Sequence, residues 1–307
     1  MTDLAVKDLF SVAGKVALVT GGSRGIGEMI AAGLLANGAT VFISSRKADA
    51  CDATAERLSA TYGGVCVSLP ADLSNLDGVS SLATALAEHA DHLDVLGNNA
   101  GVSWGAPLEE FPEIGWDKVF DTNVKGVFFL TQQLLPLLEA NATSEDPSRV
   151  INIGSVDGIR TPVFDTHSYG PSKAAVHALT KQMAAKLVKR NILVNAIAPG
   201  PFPTWMLSTG VGTGGDVEGT DWDAVGRLTD NMQRLEGFRH AEVHEAWDST
   251  LDQVDAVGAF DLLGVHLPFM RLFRSVCQNH QAMQQGRDLD VAIRHVAYDT
   301  LVQGGLT

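Results

Sequence analysis

Thr20-Gly21-Gly22-Ser23-Arg24-Gly25-Ile26-Gly27 follows a short apolar run, Val16–Thr20, and leads into an amphipathic stretch, Ile26–Asn37, that ends before Gly38. A glycine-rich turn between a strand and a helix has a physical use. Glycine lets backbone approach a ligand closely, and the first amides of a helix point their N–H groups toward an anion. The spacing is Gly-x3-Gly-x-Gly, which differs from the Gly-x-Gly-x-x-Gly of the longer dinucleotide fingerprint. A tight turn with no ligand would also look like this, so the flanking sequence has to decide.

Outward from the turn, apolar runs and amphipathic segments alternate. Strands are predicted at Val16–Thr20, Thr40–Ser44, Val65–Pro70, Leu93–Asn98, Arg149–Gly154 and Ile192–Ala198. Helices are predicted at Ile26–Asn37, Ala50–Thr61, Val79–His89 and Ser172–Arg190, with a long helix inside Trp116–Glu139. Near-continuous apolar strands alternating with helices imply an α/β fold: a doubly wound parallel sheet with helices on both faces. Right-handed crossovers then place ligands at the carboxyl ends of the strands.

The character changes after Gly200. Residues 207–221 are rich in Gly and Thr and read as a loop. Lys189 is the last lysine, whereas five of the nine histidines follow residue 239. Leu262–Val276 is apolar but contains Pro268, Arg271 and Arg274, which suits a buried or interfacial helix. The expected division is therefore a catalytic domain over 10–205 and, over 206–307, a lid loop with an atypical, mainly helical C-terminal extension.

The 307 residues carry a formal net charge of -14 and are 45% hydrophobic. That balance argues against nucleic acid, which needs a basic surface. No run approaches the ~18 apolar residues of a membrane span, and the N-terminus carries no signal-peptide pattern. Cys51, Cys66 and Cys277 have no metal-type spacing and fit free thiols in the cytoplasm. His240 and His244 share a helix face, but no Glu follows His240 directly, so no metal is expected. His167 and Ser168 lack the Gly-x-Ser-x-Gly elbow of a hydrolase.

The glycine run resembles the Thr-Gly-x3-Gly-x-Gly motif of the short-chain dehydrogenase/reductase family. Further family elements follow in order: Asp72-Leu73, Asn98-Asn99-Ala100-Gly101, Asn123, Ser155, Tyr169 and Lys173, then Pro199-Gly200 and Thr204. The resemblance spans about residues 10–205 and implies a Rossmann-like domain. It assigns the nucleotide to Gly21, Ser23, Arg24, Gly25, Ile26, Gly27, Ser45, Arg46, Asp72, Leu73, Asn99, Ala100, Gly101, Pro199, Gly200 and Thr204, with Tyr169 and Lys173. The second strand ends Ser44-Ser45-Arg46-Lys47, with no acid to hold a ribose 2′-hydroxyl and an Arg suited to a 2′-phosphate. Arg24 adds a second cation, so the expected cofactor is NADP(H).

The resemblance also implies the chemistry. Tyr169 would exchange the proton as general acid or base, with Lys173 lowering its pKa from the ordinary value of about 10. Ser155 would hold the substrate oxygen, and Asn123, which resembles the family's helix-kinking asparagine, would anchor a water in a proton relay from Lys173. Asn98–Gly105 with Ile151–Ser155 resembles the 3-oxoacyl reductase branch associated with rhamnolipid-type synthesis. Phe202, Trp205, Met206 and Leu207 would give the substrate side an apolar lining. The expected reaction is reduction of a 3-oxoacyl thioester or hydrophobic ketone to a secondary alcohol. The alternatives are a sugar-acid or polyol dehydrogenase and a non-catalytic nucleotide-binding protein. A homo-oligomer, dimer or tetramer, is expected. Two departures stand out: Gly97 replaces a branched residue, and the usual final Asp-Gly-Gly strand is not evident, with only a faint echo at residues 300–305.

Overall fold

The structure, a computed structural model of the chain, describes residues 11–161, 164–202 and 204–210. Six parallel strands form one sheet in the order β3-β2-β1-β4-β5-β6. They are β1 Val16–Thr20, β2 Thr40–Ser44, β3 Cys66–Ser68, β4 Val95–Asn98, β5 Ser148–Ile153 and β6 Ile192–Ile197. The order reverses between β1 and β4, where Ala17 pairs with Val95 and Val19 with Gly97. This is the topological switch point, where a crevice opens beyond the carboxyl ends of the strands.

Helices α1 Gly25–Ala36, α2 Ala48–Tyr62 and α3 Leu76–His89 connect the first four strands. Each has a local reason to start or stop. Asn75 Oδ1 accepts from Gly78 N at 2.8 Å and caps α3. Gly63, in left-handed backbone with φ 71, ends α2. Leu18, Leu82, Leu86, Leu96, Leu130 and Leu138 are fully or almost fully buried between sheet and helices. Continuous burial along β1 and β4 explains why these strands read as unbroken apolar runs.

The long helix expected within Trp116–Glu139 is broken. α4 Glu113–Phe120 passes into a π-helical segment, Asp121–Lys125, which continues as α5 Gly126–Gln133 and then α6 Leu135–Ala140. Pro136 lies in the first turn of α6 and has no N–H to continue the ladder of α5. The helix that carries Tyr169 and Lys173 is α7, Tyr169–Leu187, three residues earlier at its start than expected. The loop expected from residue 207 is also corrected: α8, Trp205–Gly210, is helical. Leu207 N donates to Thr204 Oγ1 at 3.4 Å, so the threonine side chain caps this turn. The expected final strand, Leu262–Val276 and the His240/His244 pair lie outside the described residues.

Candidate active site

The glycine turn is built for close approach. Gly21 has φ 64, and a β-carbon there would fall 2.8 Å from Asn99 Nδ2. One on Gly27 would fall 2.2 Å from the Gly21 carbonyl oxygen. The turn is tied to β4: Asn99 Nδ2 donates to Thr20 O at 2.9 Å and to Gly21 O at 3.3 Å. Thr20 Oγ1 in turn accepts from the amides of Asn99 and Ala100, each at 3.0 Å. From the other side, Thr54 Oγ1 donates to Ser23 O at 3.0 Å. Arg24 stands at the N-cap of α1 and makes no side-chain cap bond.

Two cations flank this turn. The guanidinium of Arg24 is held below its ordinary pKa by burial and by the charge of Arg46. Arg46 is exposed just past β2, and Ser45 beside it accepts from Ala71 N at 3.1 Å through its carbonyl. Asp72 Oδ1 accepts from Ser74 N at 3.0 Å, and the buried Leu73 follows it past the end of β3.

The second cluster lies at the ends of β4 and β5. Ser155, 7% exposed, has extended backbone and caps a single 3-10 turn, Val156–Gly158, by accepting from Asp157 N at 3.1 Å. Pro199 O accepts from Val156 N at 3.1 Å, so the chain past β6 is fastened beside Ser155. Lys173 is 4% exposed, and its Nζ donates to Ile153 O at 2.8 Å. That atom also lies 5.6 Å from the centre of the Tyr169 ring, one helical turn away on α7. A β-carbon on Gly101 would meet Asn123 Oδ1 at 3.4 Å and Lys173 Nζ at 3.5 Å, which gathers the three around one point. Asn123 Oδ1 accepts from Val102 N at 2.8 Å, and its Nδ2 donates to Val102 O and to Ser172 Oγ, each at 3.0 Å.

The electrostatics depart from the sequence expectation. Burial pushes the Tyr169 phenol up to about 12; the Ser155 hydroxyl opposes this by hydrogen bonding, and Asp157 adds to it. Burial alone draws Lys173 down to about 8. The expected lowering of the phenol by the ammonium is absent here. Tyr169 is deeply buried, so desolvation of the phenolate dominates.

Gly200, Thr204 and Phe202 follow β6, and Trp205 stands at the start of α8 over Arg24. Sequence reasoning did not find Thr54, Ser172 or the Arg24–Trp205 contact. Each depends on which elements pack together, and no local pattern encodes it. Among the described residues no group of three or more His, Cys, Asp or Glu comes together as a metal site. No helix among them is long and apolar enough to cross a membrane.

A sequence model of the short chain dehydrogenase family matches residues 15–211. The chain belongs to this family. Among short-chain dehydrogenases, it is 58% identical over 197 residues to the rhamnolipids biosynthesis 3-oxoacyl-[acyl-carrier-protein] reductase of Pseudomonas aeruginosa, covering 64% of this chain and 76% of that protein. It is 36% identical to the gluconate 5-dehydrogenase of Gluconobacter oxydans, over 70% of this chain and 80% of that one. The solved RhlG/NADP active-site complex of Pseudomonas aeruginosa matches with a TM-score of 0.63 at 57% identity, covering 66% of this chain and 78% of that one.

Proposed function

We propose that this short-chain dehydrogenase is an NADP(H)-dependent ketone reductase acting on a 3-oxoacyl thioester or similar hydrophobic carbonyl. The observation that carries the reading is the convergence of Ser155, Tyr169 and Lys173 beside Gly101 and Asn123 at the ends of β4 and β5. The relative at 58% identity is a 3-oxoacyl-[acyl-carrier-protein] reductase, and the 57% identical structure is an NADP complex.

The residues present fit a dinucleotide carrying a 2′-phosphate. The glycine turn admits close backbone approach, Arg24 and Arg46 supply fork-shaped cations, and β2 ends at Ser44 with Ser45 next, where an acid would repel the phosphate. Gly21 to Gly27 would hold the pyrophosphate, Asp72 and Leu73 the adenine side, and Asn99 to Gly101 with Pro199, Gly200 and Thr204 the remainder. When bound, the cofactor supplies hydride to the carbonyl carbon.

The chain's own residues manage the oxygen. Ser155 positions and polarises the carbonyl oxygen from one side. The Tyr169 hydroxyl donates its proton to that oxygen as negative charge develops. A phenol pushed up to about 12 is held protonated at neutral pH, which suits a proton donor in the reducing direction. Lys173, at about 8, is the better group to return a proton toward Tyr169. Asn123 fixes the backbone at Val102 and the Ser172 end of α7, keeping this group in register.

A second reading, oxidation of a sugar acid or polyol, is favoured by the gluconate 5-dehydrogenase relative. Exposed Ile114 and Trp116 on α4 and Phe128 on α5 support a homo-oligomeric assembly. Free Cys51 and Cys66 support a cytoplasmic setting.

The test is turnover. NADPH oxidation on a panel of 3-oxoacyl thioesters, hydrophobic ketones and gluconate-type acids, lost by roughly 100-fold or more in Tyr169→Phe, supports the reading. Turnover only on polyols or sugar acids moves it to the second. NADPH binding with no turnover on any member leaves a non-catalytic nucleotide-binding protein.

A further inference from the structure

The Arg24 guanidinium lies 4.3 Å from the centroid of the Trp205 ring. The two residues follow β1 and β6, the first and last strands in chain order. Arg24 precedes α1 in the glycine turn, and Trp205 opens α8. A second contact joins the same segments one residue along: a β-carbon on Gly25 would sit 3.4 Å from Thr204 Cγ2, so turn and helix are at van der Waals distance.

Both segments are held. Gly22 N donates to Ser44 O at 3.1 Å, and Thr54 Oγ1 fastens Ser23 O at 3.0 Å. Thr204 caps α8 with its side chain, and Ser208 N donates to Thr204 O at 3.0 Å. Arg24 needs such support. Burial and the Arg46 charge both disfavour its cation, and no carboxylate among the described residues pairs with it. The negative face of an indole is the group that offsets this.

We propose that Trp205 is a positioning residue for nucleotide choice. Its ring holds the Arg24 guanidinium near Arg46, where two cations converge on a ribose 2′-phosphate that NADP(H) carries and NAD(H) lacks. The inference rests on the NADP(H) reading above. Arginine has a long, rotamer-rich side chain, and immobilising it on binding costs affinity unless it is ordered beforehand. Trp205 supplies that order before the nucleotide arrives, so its contribution falls on the phosphate alone.

Equilibrium titration with NADPH and NADH, followed by nicotinamide fluorescence, gives the two dissociation constants. Calorimetry with adenosine 2′,5′-bisphosphate and with AMP reads the phosphate with no nicotinamide present. Trp205→Leu is expected to weaken NADPH and the bisphosphate about fivefold, the size of a half-exposed cation–π contact, and to leave NADH and AMP unchanged. Trp205→Phe retains most of the affinity. In an Arg24→Gln background, Trp205→Leu adds nothing further. Trp205 is 44% exposed, so its loss opens no core cavity, and thermal melting checks that each variant is folded. Equal weakening of NADPH and NADH, or no weakening of either, overturns the inference while the reading stands. An unaltered protein that prefers NADH overturns the reading, and the inference with it, before any variant is made.

Discussion

Asn123 Nδ2 donates to Ser172 Oγ at 3.0 Å, linking the π-helical segment Asp121–Lys125 to the first turn of α7. The same amide holds both the N–H and the carbonyl of Val102. One side chain therefore registers three pieces of chain around Lys173. Asn123→Ala leaves these buried partners unpaired, at a cost of about 2–3 kcal/mol. The expected result is a melting temperature several degrees lower, with kcat falling more than KM. Asn123→Asp keeps the acceptor for Val102 N but sets a second oxygen against Val102 O in a buried site, and is expected to lose at least as much stability.

The two shifted groups on α7 give opposite pH signatures. Lys173 titrates at about 8 when folded, below its ordinary 10.5, so the unfolded chain binds more protons between those values and stability rises with pH there. Tyr169 titrates at about 12, above its ordinary 10, so stability falls between about 10 and 12. Denaturant melts across pH should show the first rise in the unaltered protein and not in Lys173→Met.

In the reducing direction, rate should fall as pH rises through about 8, because Lys173 then loses the proton it would pass on, while Tyr169 is still protonated. A kcat profile with its alkaline limb near 12 would assign the limb to Tyr169 and remove Lys173 from the proton path. Lys173→Arg, which stays protonated, is expected to be slow but to lose the limb near 8.

Gly97 lies inside β4 with no need to be glycine. A β-carbon there would be 3.6 Å from Leu18 O and 3.7 Å from Val19, ordinary packing distances. Gly97→Ala is expected to raise stability by roughly 0.5–1 kcal/mol through loss of unfolded-state freedom. Chemical denaturation would read this directly; a loss of stability would mean that β4 cannot accept even one methyl group.

Gly27→Ala should do the reverse. Its β-carbon would fall 2.2 Å from Gly21 O and 2.4 Å from Asn99 Nδ2, and the first of these is backbone. The turn must shift, so nucleotide affinity is expected to drop by at least tenfold in fluorescence titration. Retained affinity would show that the cradle tolerates displacement of α1.

Much of this fold was legible because its signals are local. Val16–Thr20 and Thr40–Ser44 are strands with the boundaries read from apolar runs alone. The start of α7 was harder: Tyr169-Gly170-Pro171 holds two poor helix formers, yet Pro171 falls in the first turn, where its missing N–H costs nothing. Within Trp116–Glu139 the periodicity runs on, and only the resemblance of Asn123 to the family's helix-kinking asparagine marks the π-helical segment. Tyr-x3-Lys gives a local spacing, but the upward push on the Tyr169 phenol follows its burial, which depends on the elements packed around it.

The Thr20–Asn99 clasp joins residues 79 apart in the chain. A nascent chain that has made only β1, β2 and β3 holds every glycine of the turn and still has no finished cradle, because the clamp arrives with β4. The proposed nucleotide cradle is then complete only once β4 has joined β1, and the first three strands cannot form it alone. Any ligand seated there stabilises only the completed topology, so cofactor in the cell would act as a check that folding across this long separation has been achieved.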